Sequence, residues 1–391
     1  MTELLAPIAY TIKVQGVVVR DLVVDVEFRT AWGKHDLWFV RCNATKAQAK
    51  KNITTWTDGA PVEIFWGRGP GNTHTWYGYV NHHVFSSQDD QAIGVLQVTY
   101  VLIGTSRVLN TEHNKQWTGV PYSWMAQSIA RDNGFRCVFT QTTQLVSETQ
   151  ASESDFAFLN RMAEKIGFRI WCSGATMYFI DPQVMFTSFT YLSVPTYRID
   201  MNGIVFDTAR LFEKTQGGNI TGAVIGTRKI SGFDGKTGRV LTLTAGNGET
   251  AMVYTDRHVQ SYNEGKQAMG ARQALAQFWI TATVEVYGNT FLYPGKVMQL
   301  VGAAMPHESE GAWLISGATH IMAPGGTTSP VHDRYVTKLT LLRNIQATPV
   351  VKDVRRVQPE FLPCSLVNGQ WRSTVLGSIR DGVVNGYVSA Q

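Results

Sequence analysis

His82 and His83 stand side by side in the stretch WYGYVNHHVF, with His74 a short distance before them. Histidines at this density could hold a metal ion. Neighbours in a strand point to opposite faces, however, so His82 and His83 cannot chelate one ion without a bend. His74 joins them only if the intervening turn folds back. Surface or interface histidines are the expected reading. Glu308 and Glu310, with His307 beside them in PHESEG, have the residue types of a glycosidase acid pair. Two carboxylates one residue apart in a polar turn are ordinarily solvated. The glycine-rich stretches GRGPGNT and APGGTTSP would cradle phosphate only if a helix N-terminus followed them. Strand signals follow instead, so hairpin loops are expected. Trp117, Trp124 and Trp171 could form a sugar-binding platform, although packing in a small core is the commoner use of such residues. No Ser-His-Asp order, HExxH or Walker pattern stands out. The sequence therefore assigns no catalytic, cofactor-binding or metal-ligating residue.

The totals agree with a chain that works through surfaces. A net charge of +5 over 391 residues is mild. The strongest basic cluster, Lys46, Lys50 and Lys51, reads as the solvated edge of a helix or loop rather than a nucleic-acid footprint. The four cysteines, Cys42, Cys137, Cys172 and Cys364, are widely spaced, which argues against a zinc ribbon or a disulfide scaffold. Reduced, mostly buried thiols in a protein assembled in a cytosol fit better. MTELLAPIAY lacks the basic start and long apolar run of an export signal. No window approaches the apolar length of a membrane span.

Stepping along the chain, residues 1–110 read as a first tube-like β domain. Leu22, Val24, Val26 and Phe28 alternate with Val23, Asp25 and Glu27, the period-two pattern of a strand with one buried face. PVEIFWG, WYGYVNHHVF and VLQVTYVLIG continue it. The pattern changes over 111–183, an α/β insertion domain. Pro121 opens a helix that Gly134 caps. Ser154 or Ser152 caps a second helix with Asp155 in its first turn and Phe156, Leu159, Met162, Ala163 and Ile166 as its apolar stripe. Gly167 ends that helix, Phe168 packs back, and FRIWC and TMYFID flank the turn SGA as a hairpin. Residues 184–345 read as a second tube-like β domain, interrupted by one helix carrying Ala268, Ala271, Leu275 and Phe278. Residues 346–391 read as an extended C-terminal arm that orders against a neighbour, too apolar for a plain disordered tail.

The two β domains end alike. VEIFWGRGPGNTHTWYGYVNHHVF and TYVLIGTSRVLN in the first run parallel to VMQLVGAAMPHESEGAWLISGATHIM and RYVTKLTLLRN in the second. Trp76 then falls opposite Trp313 and Tyr100 opposite Tyr335. One β unit used twice around an α/β insertion is the simplest account.

These stretches carry a family resemblance. SESDFAFLNRMAEKIGF, through Glu153, Ser154, Asp155, Phe158, Leu159, Arg161, Ala163, Gly167 and Phe168, resembles the hub proteins of contractile tails: the late control protein D family of phages and the N-terminal part of VgrG spike proteins. FLYPGKVMQL, GAWLISGATHIM and YVTKLTLLRN are similar to the end of that family's second barrel. The resemblance covers roughly residues 15–345. It implies two related tube-like β-barrel domains flanking a small α/β domain, and a homotrimeric ring whose six β units dock a threefold body on a sixfold tail tube. It implies a non-enzymatic structural hub in the virion, at a tail tip or baseplate, assembled in the bacterial host cytoplasm. The implied partners are further copies of itself, the tail tube or a distal tail protein, the tape measure protein, and a spike or tip protein bound through residues 346–391. DNA passes only in transit. The family's spike proteins continue into a further barrel and a β-helical spike; here only a short stretch follows Gln346, so a piercing spike is expected to be a separate protein or absent. A cell-wall hydrolase of the tail tip, a carbohydrate-binding receptor module and the hub of a type VI-like injection machine are the alternatives.

Overall fold

The computed structural model describes residues 8–19, 22–68, 73–86, 95–182, 196–198, 209–216, 226–233, 237–245, 248–255, 261–276, 280–301, 311–323, 334–343, 363–374 and 378–380. The chain is mainly β, with short helices and antiparallel ladders predominating.

The first β unit is built from strands Ile8–Val14, Leu22–Ala31, Leu37–Thr45, Pro61–Arg68, Thr73–Ser86 and Val95–Gly104. Their sequences alternate, and the alternation is spent on one core. In Leu37–Thr45, Trp38, Val40, Cys42 and Ala44 are buried while the residues between them are half-buried. Trp38, Trp66 and Trp76 meet Phe28 in this interior: Phe28 stacks on Trp38 with centroids 4.9 Å apart, and Trp66 meets Trp38 edge-on at 5.3 Å. Trp56, just beyond helix Lys46–Thr55, stacks on Tyr100 at 4.1 Å and closes one end. Ile12 and Val14 from the first strand share the core with Val26 and Phe28 from the next, so the sheet curls strongly.

The second β unit uses strands Ala209–Gln216, Ile280–Tyr287, Val297–Val301, Gly311–Ala323 and Arg334–Arg343. Its interior is Val284, Val286, Leu292, Met298, Leu300, Trp313, Ile315, Leu339 and Leu341. Among the described residues neither unit closes into a barrel on its own. Gly311–Ala323 pairs antiparallel with Leu22–Ala31, and this joint fuses them into one open sheet of thirteen strands. Among the described residues no ladder closes that sheet into a barrel. The mainly β fold with an α/β insertion is as expected; the long-range pairing that joins the units was not foreseen, because local alternation specifies a strand's buried face and not its partner.

Residues 112–180 form the α/β insertion. Helix Tyr122–Asp132 starts after Pro121 and ends at Asn133, with Gly134 left-handed at φ 74°. Helix Asp155–Ile166 is capped by Ser154, whose hydroxyl accepts from the Ala157 amide at 3.2 Å. Gly167 (φ 81°) and the Phe168 amide, which donates to the Ala163 carbonyl at 2.7 Å, end it. Strands Arg169–Ser173 and Thr176–Ile180 form the expected hairpin, and Arg136–Phe139 runs parallel to the latter. A second insertion lies within the 184–345 stretch: strands Gly226–Phe233, Val240–Ala245 and Gly248–Thr255 make their own sheet, followed by helix Tyr262–Ala276.

Part of the C-terminal arm docks on its own chain. Hairpin Cys364–Val367/Gln370–Ser373 seats Trp371 against Tyr77 and Tyr79 of the first β unit. The Trp371 indole donates to the Gly78 carbonyl at 2.8 Å, and its backbone amide to the Tyr79 hydroxyl at 2.7 Å. Strand Ser378–Arg380 then adds parallel to Arg136–Phe139 of the insertion. The described residues of this arm make these contacts with their own chain: Trp371 supplies the apolar anchor, and the edge of the insertion sheet supplies backbone partners.

Candidate functional site

The residues first considered for chemistry are scattered. His82 is exposed, its Nδ1 paired with the Asn81 side chain at 2.9 Å. His83 points to the other face, with its Nδ1 4.0 Å from Asp58. His74 lies against Phe291 at 4.7 Å, and burial, with Lys296 nearby, pushes its pKa down to about 4. Among the described residues no group of three or more His, Cys, Asp or Glu is placed to hold a metal. His307, Glu308 and Glu310 lie outside the described residues, as do residues 69–72 and 324–330 of the glycine-rich stretches. The strands flanking each glycine-rich stretch pair antiparallel, so each links a hairpin and not a strand to a helix. Trp117 is buried under Lys115 and stacked on Phe158, and Trp171 is buried against Tyr178. Trp124, 47% exposed, is the member of the trio that reaches solvent.

Two arrangements escaped the sequence reading. His35 Nδ1 lies 2.8 Å from the Ser106 hydroxyl, with the Asn110 side chain also bonded to the ring. The types suggest a nucleophile, but Ser106 is 2% exposed and Phe156 lies 4.1 Å from the imidazole. The group is a joint between the first β unit and the insertion. The second arrangement is a buried ionic network: Lys165 meets Glu148 at 2.6 Å, the Tyr122 hydroxyl donates to Glu148 at 3.1 Å, and Arg161 pairs with Glu153 at 2.8 Å. Burial, then Glu148, pushes the Tyr122 phenol far up. The network's groups come from different elements of the insertion, 8 to 26 residues apart, so no single local motif announced them.

The arrangement with the clearest potential is made of strand edges. Both β units follow one plan. In the first, the strand order is Leu22–Ala31, Leu37–Thr45, Val95–Gly104, Thr73–Ser86, Pro61–Arg68. In the second it is Ala209–Gln216, Ile280–Tyr287, Arg334–Arg343, Gly311–Ala323, Val297–Val301. Bulges fix the register. Val80 opposes Leu102 immediately before one bulge, and Ile315 opposes Leu341 immediately before another. Crossing outward from Leu102 the ladder reaches Trp38 and then Phe28; from Leu341 it reaches Ala282 and then Lys214. A further bulge follows Val23 in one outer strand and Ala209 in the other, each at the matching place. On the far side Gly78 opposes Val62, and Trp313 opposes Met298. Trp313 thus corresponds to Gly78 and not to Trp76, a correction of two residues on the same face.

At the joint between units, His320 faces Phe28, Ala318 faces Thr30 and Thr319 faces Arg29. His320 is fully buried. Its Nδ1 lies 3.1 Å from the Thr337 hydroxyl and 3.2 Å from the Tyr335 hydroxyl, and its ring stacks on Phe28 at 5.7 Å. Burial pushes its pKa down to about 3, so the ring is neutral at pH 7.

Among the described residues no helix is long and apolar enough to cross a membrane. No protein-family profile and no curated protein sequence matches the chain. Solved structures do. A tail protein from Neisseria meningitidis is similar with a TM-score of 0.61 at 11% identity, over 86% of this chain and 97% of that one. The 43 kDa tail protein of prophage MuSo2 from Shewanella oneidensis gives 0.58 at 11% identity, over 85% and 97%. An E. coli component of the type VI secretion system, described as structurally similar to the T4 bacteriophage tail proteins gp27 and gp5, gives 0.55 at 12% identity, over 91% and 83%. The chain therefore carries the fold that these phage tail and type VI secretion proteins share.

Proposed function

We propose that this chain is the structural hub of a phage tail tip or baseplate. Three copies stand in a ring around a channel. Six β units face the sixfold tail tube or a distal tail protein, while the threefold body receives a spike or tip protein. The tape measure protein and DNA leave through the channel. The hub acts by geometry and without a catalytic centre, as a part of the virion assembled in the host cytoplasm. The α/β insertion lies at the periphery and contacts neighbouring tail-tip subunits. Residues of the C-terminal arm beyond those clamped on the chain itself are the spike-binding candidates.

The observation that carries this reading is the duplicated β unit with one strand plan, in a chain with the fold of phage tail proteins. The likeness to the E. coli type VI component supports a sibling reading, the hub of an injection machine of that kind. Gold-labelled antibody against the chain, applied to phage particles, separates the two by whether the tail tip is marked. The primary test is the mass of the purified chain in solution, with negative-stain images at the same concentration. A trimeric ring with six outer lobes is expected. A compact monomer that cleaves peptidoglycan would overturn the hub in favour of a tail-tip hydrolase.

A further inference from the structure

The first β unit and the insertion meet without sharing a core. The apolar interior of the insertion runs from Leu109 to Phe179 in sequence, while that of the first unit draws on its own strands, with Met322 and Tyr335 of the second. Between the two lies a polar seam. The turn Trp32–Asp36 reaches across it: the Gly33 amide donates to the Ile170 carbonyl at 2.7 Å, and the Trp32 ring lies 6.1 Å from Trp171. Trp171, Ser173 and Thr176 share one face of the hairpin Arg169–Ser173/Thr176–Ile180, and all three are buried. The Trp171 indole nitrogen, the Ser173 and Thr176 hydroxyls and the Trp32 indole nitrogen have no hydrogen-bond partner among the described residues. A permanent core does not ordinarily keep four such groups dry, because each gives up water without a replacement. An interface between bodies that separate wets them part of the time. The apolar contact that bridges the seam is made by the arm. Trp371 packs with Tyr77, Tyr79 and Ile103 of the first unit, and Val108 and Cys364 pack both on this cluster and on the insertion core. From the same hairpin the Ser373 amide donates to the Gly134 carbonyl at 3.2 Å, and Cys364 Sγ accepts from the Ala175 amide at 3.2 Å. The arm thus crosses the seam and is fastened on both sides.

We propose that the arm hairpin Cys364–Ser373 is a strap that governs the docking of the insertion: while Trp371 is seated the insertion stays on the first β unit, and when the hairpin lifts the seam at Trp32–Asp36 opens and the insertion moves as a body. Each body keeps its own core through this step, so opening disturbs the internal packing of neither. Lost on opening are the bond from Gly33 to Ile170, the bond from the Thr105 hydroxyl to the Gly174 carbonyl and the contact of His35 with Phe156. Gained is water on Trp32, Trp171, Ser173 and Thr176. These terms oppose one another, so the anchoring of one tryptophan decides which state is populated. Helix Tyr262–Ala276 packs on Asp155–Ile166 and travels with the insertion. A pull on the arm beyond the strap reaches the insertion through Trp371. Strap and seam lie within one chain, so the device stands whether or not the hub reading does.

The test is hydrogen–deuterium exchange on the full chain, resolved to single amides by fragmentation in the mass spectrometer. The Ala175 amide, which donates to Cys364, reports the strap. The Gly33 amide, which donates to Ile170, reports the seam. Amides inside helix Asp155–Ile166 report the insertion core. Trp371→Ala is expected to speed exchange at Ala175 and Gly33 together by about tenfold or more while the helix amides stay slow. Faster exchange at Ala175 with Gly33 unchanged overturns the hold of the strap on the seam. Faster exchange in the helix as well overturns the separate bodies. Ser173→Ala with Thr176→Val works from the other side and keeps the test decisive should Trp371→Ala fail to fold. It removes two hydroxyls that water reaches only in the open state, so Gly33 exchange should slow by about threefold or more. Unchanged or faster exchange at Gly33 in that variant overturns the opening seam.

Discussion

In the first β unit Trp38, Trp56, Trp66 and Trp76 crowd one interior with Phe28 and Tyr100; in the second, Trp313 stands among Val284, Leu300, Ile315, Leu339 and Leu341. The strand order and the bulges nevertheless coincide. Cores tolerate large changes of side chain when volume and patterning are kept, whereas a ladder tolerates no slip of one residue. What must match between the units is the backbone frame that presents their edges. Their interiors are free to diverge.

The largest effect should come from breaking this contrast in the cores. Trp66→Ala is expected to destabilise the chain by about 3–5 kcal/mol, and Val284→Ala by about 2 kcal/mol, in denaturant titrations. Equal losses would mean that the aromatic interior collapses around its cavity and is no more tightly specified than the aliphatic one.

A second comparison sets the filled edge against its counterpart in the first unit. Thr319 lies between two ladders, so Thr319→Pro should cost about 1–3 kcal/mol through a lost backbone bond and an orphaned carbonyl. At the matching position of the first unit, Val84→Lys, in a stretch of Thr73–Ser86 that among the described residues pairs only with Val95–Gly104, should shift the stability of the isolated monomer by less than about 0.5 kcal/mol. If both were equally damaging, the counterpart edge would be covered within the single chain.

The next comparison is in pH. His320 at the joint is held neutral in the folded chain, with its pKa down at about 3 because of burial. An unfolded histidine titrates near 6.5, so this contribution is complete above that pH and is lost as pH falls from about 6.5 towards 3, by at most about 1.4 kcal/mol per unit. Asp36 has the opposite sign. Burial raises its pKa to about 7, against hydrogen bonds from Thr30 and Trp76 that lower it. Its contribution is complete below the unfolded value near 4 and is lost as pH rises through 7. His320→Asn should flatten the acid limb of the stability curve, and Asp36→Asn the neutral limb. One slope unchanged in both variants would place the titration elsewhere. The smallest effect is expected at His82, exposed beyond the bulge: His82→Ala should move stability by less than about 0.5 kcal/mol in denaturant titrations.

The α/β insertion was legible almost residue by residue. Ser154, Gly167, Phe168, Pro121 and Gly134 act within one helical turn, where chemistry and position are tied together. The existence of most strands in the β units was legible too, through alternation and the repeated aromatic signals. Register was not. Trp76 and Trp313 both face the core, and a strand presents the same face every second residue, so letters two positions apart fill equivalent space. The joint of Leu22–Ala31 with Gly311–Ala323, the pairing of His35 with Ser106 and the docking of Trp371 all join distant segments. Alternation could announce that such segments bury a face, but not against what. The inner sheet Gly226–Thr255 was read as strands of the second β unit for the same reason.

The clamp of Trp371 on Gly78 joins residues 293 apart in sequence, and Cys364 meets Ala175 across 189. Loops of that length close late, because chain entropy opposes them until most other structure is in place. On the ribosome the Arg136–Phe139 edge must wait for strand Ser378–Arg380, which is made about 240 residues later. Strand Ser378–Arg380 thus reports on synthesis of the segment before it: a product truncated before Trp371 keeps an open edge and an unfilled Trp371 seat, and becomes a target for chaperones and proteases.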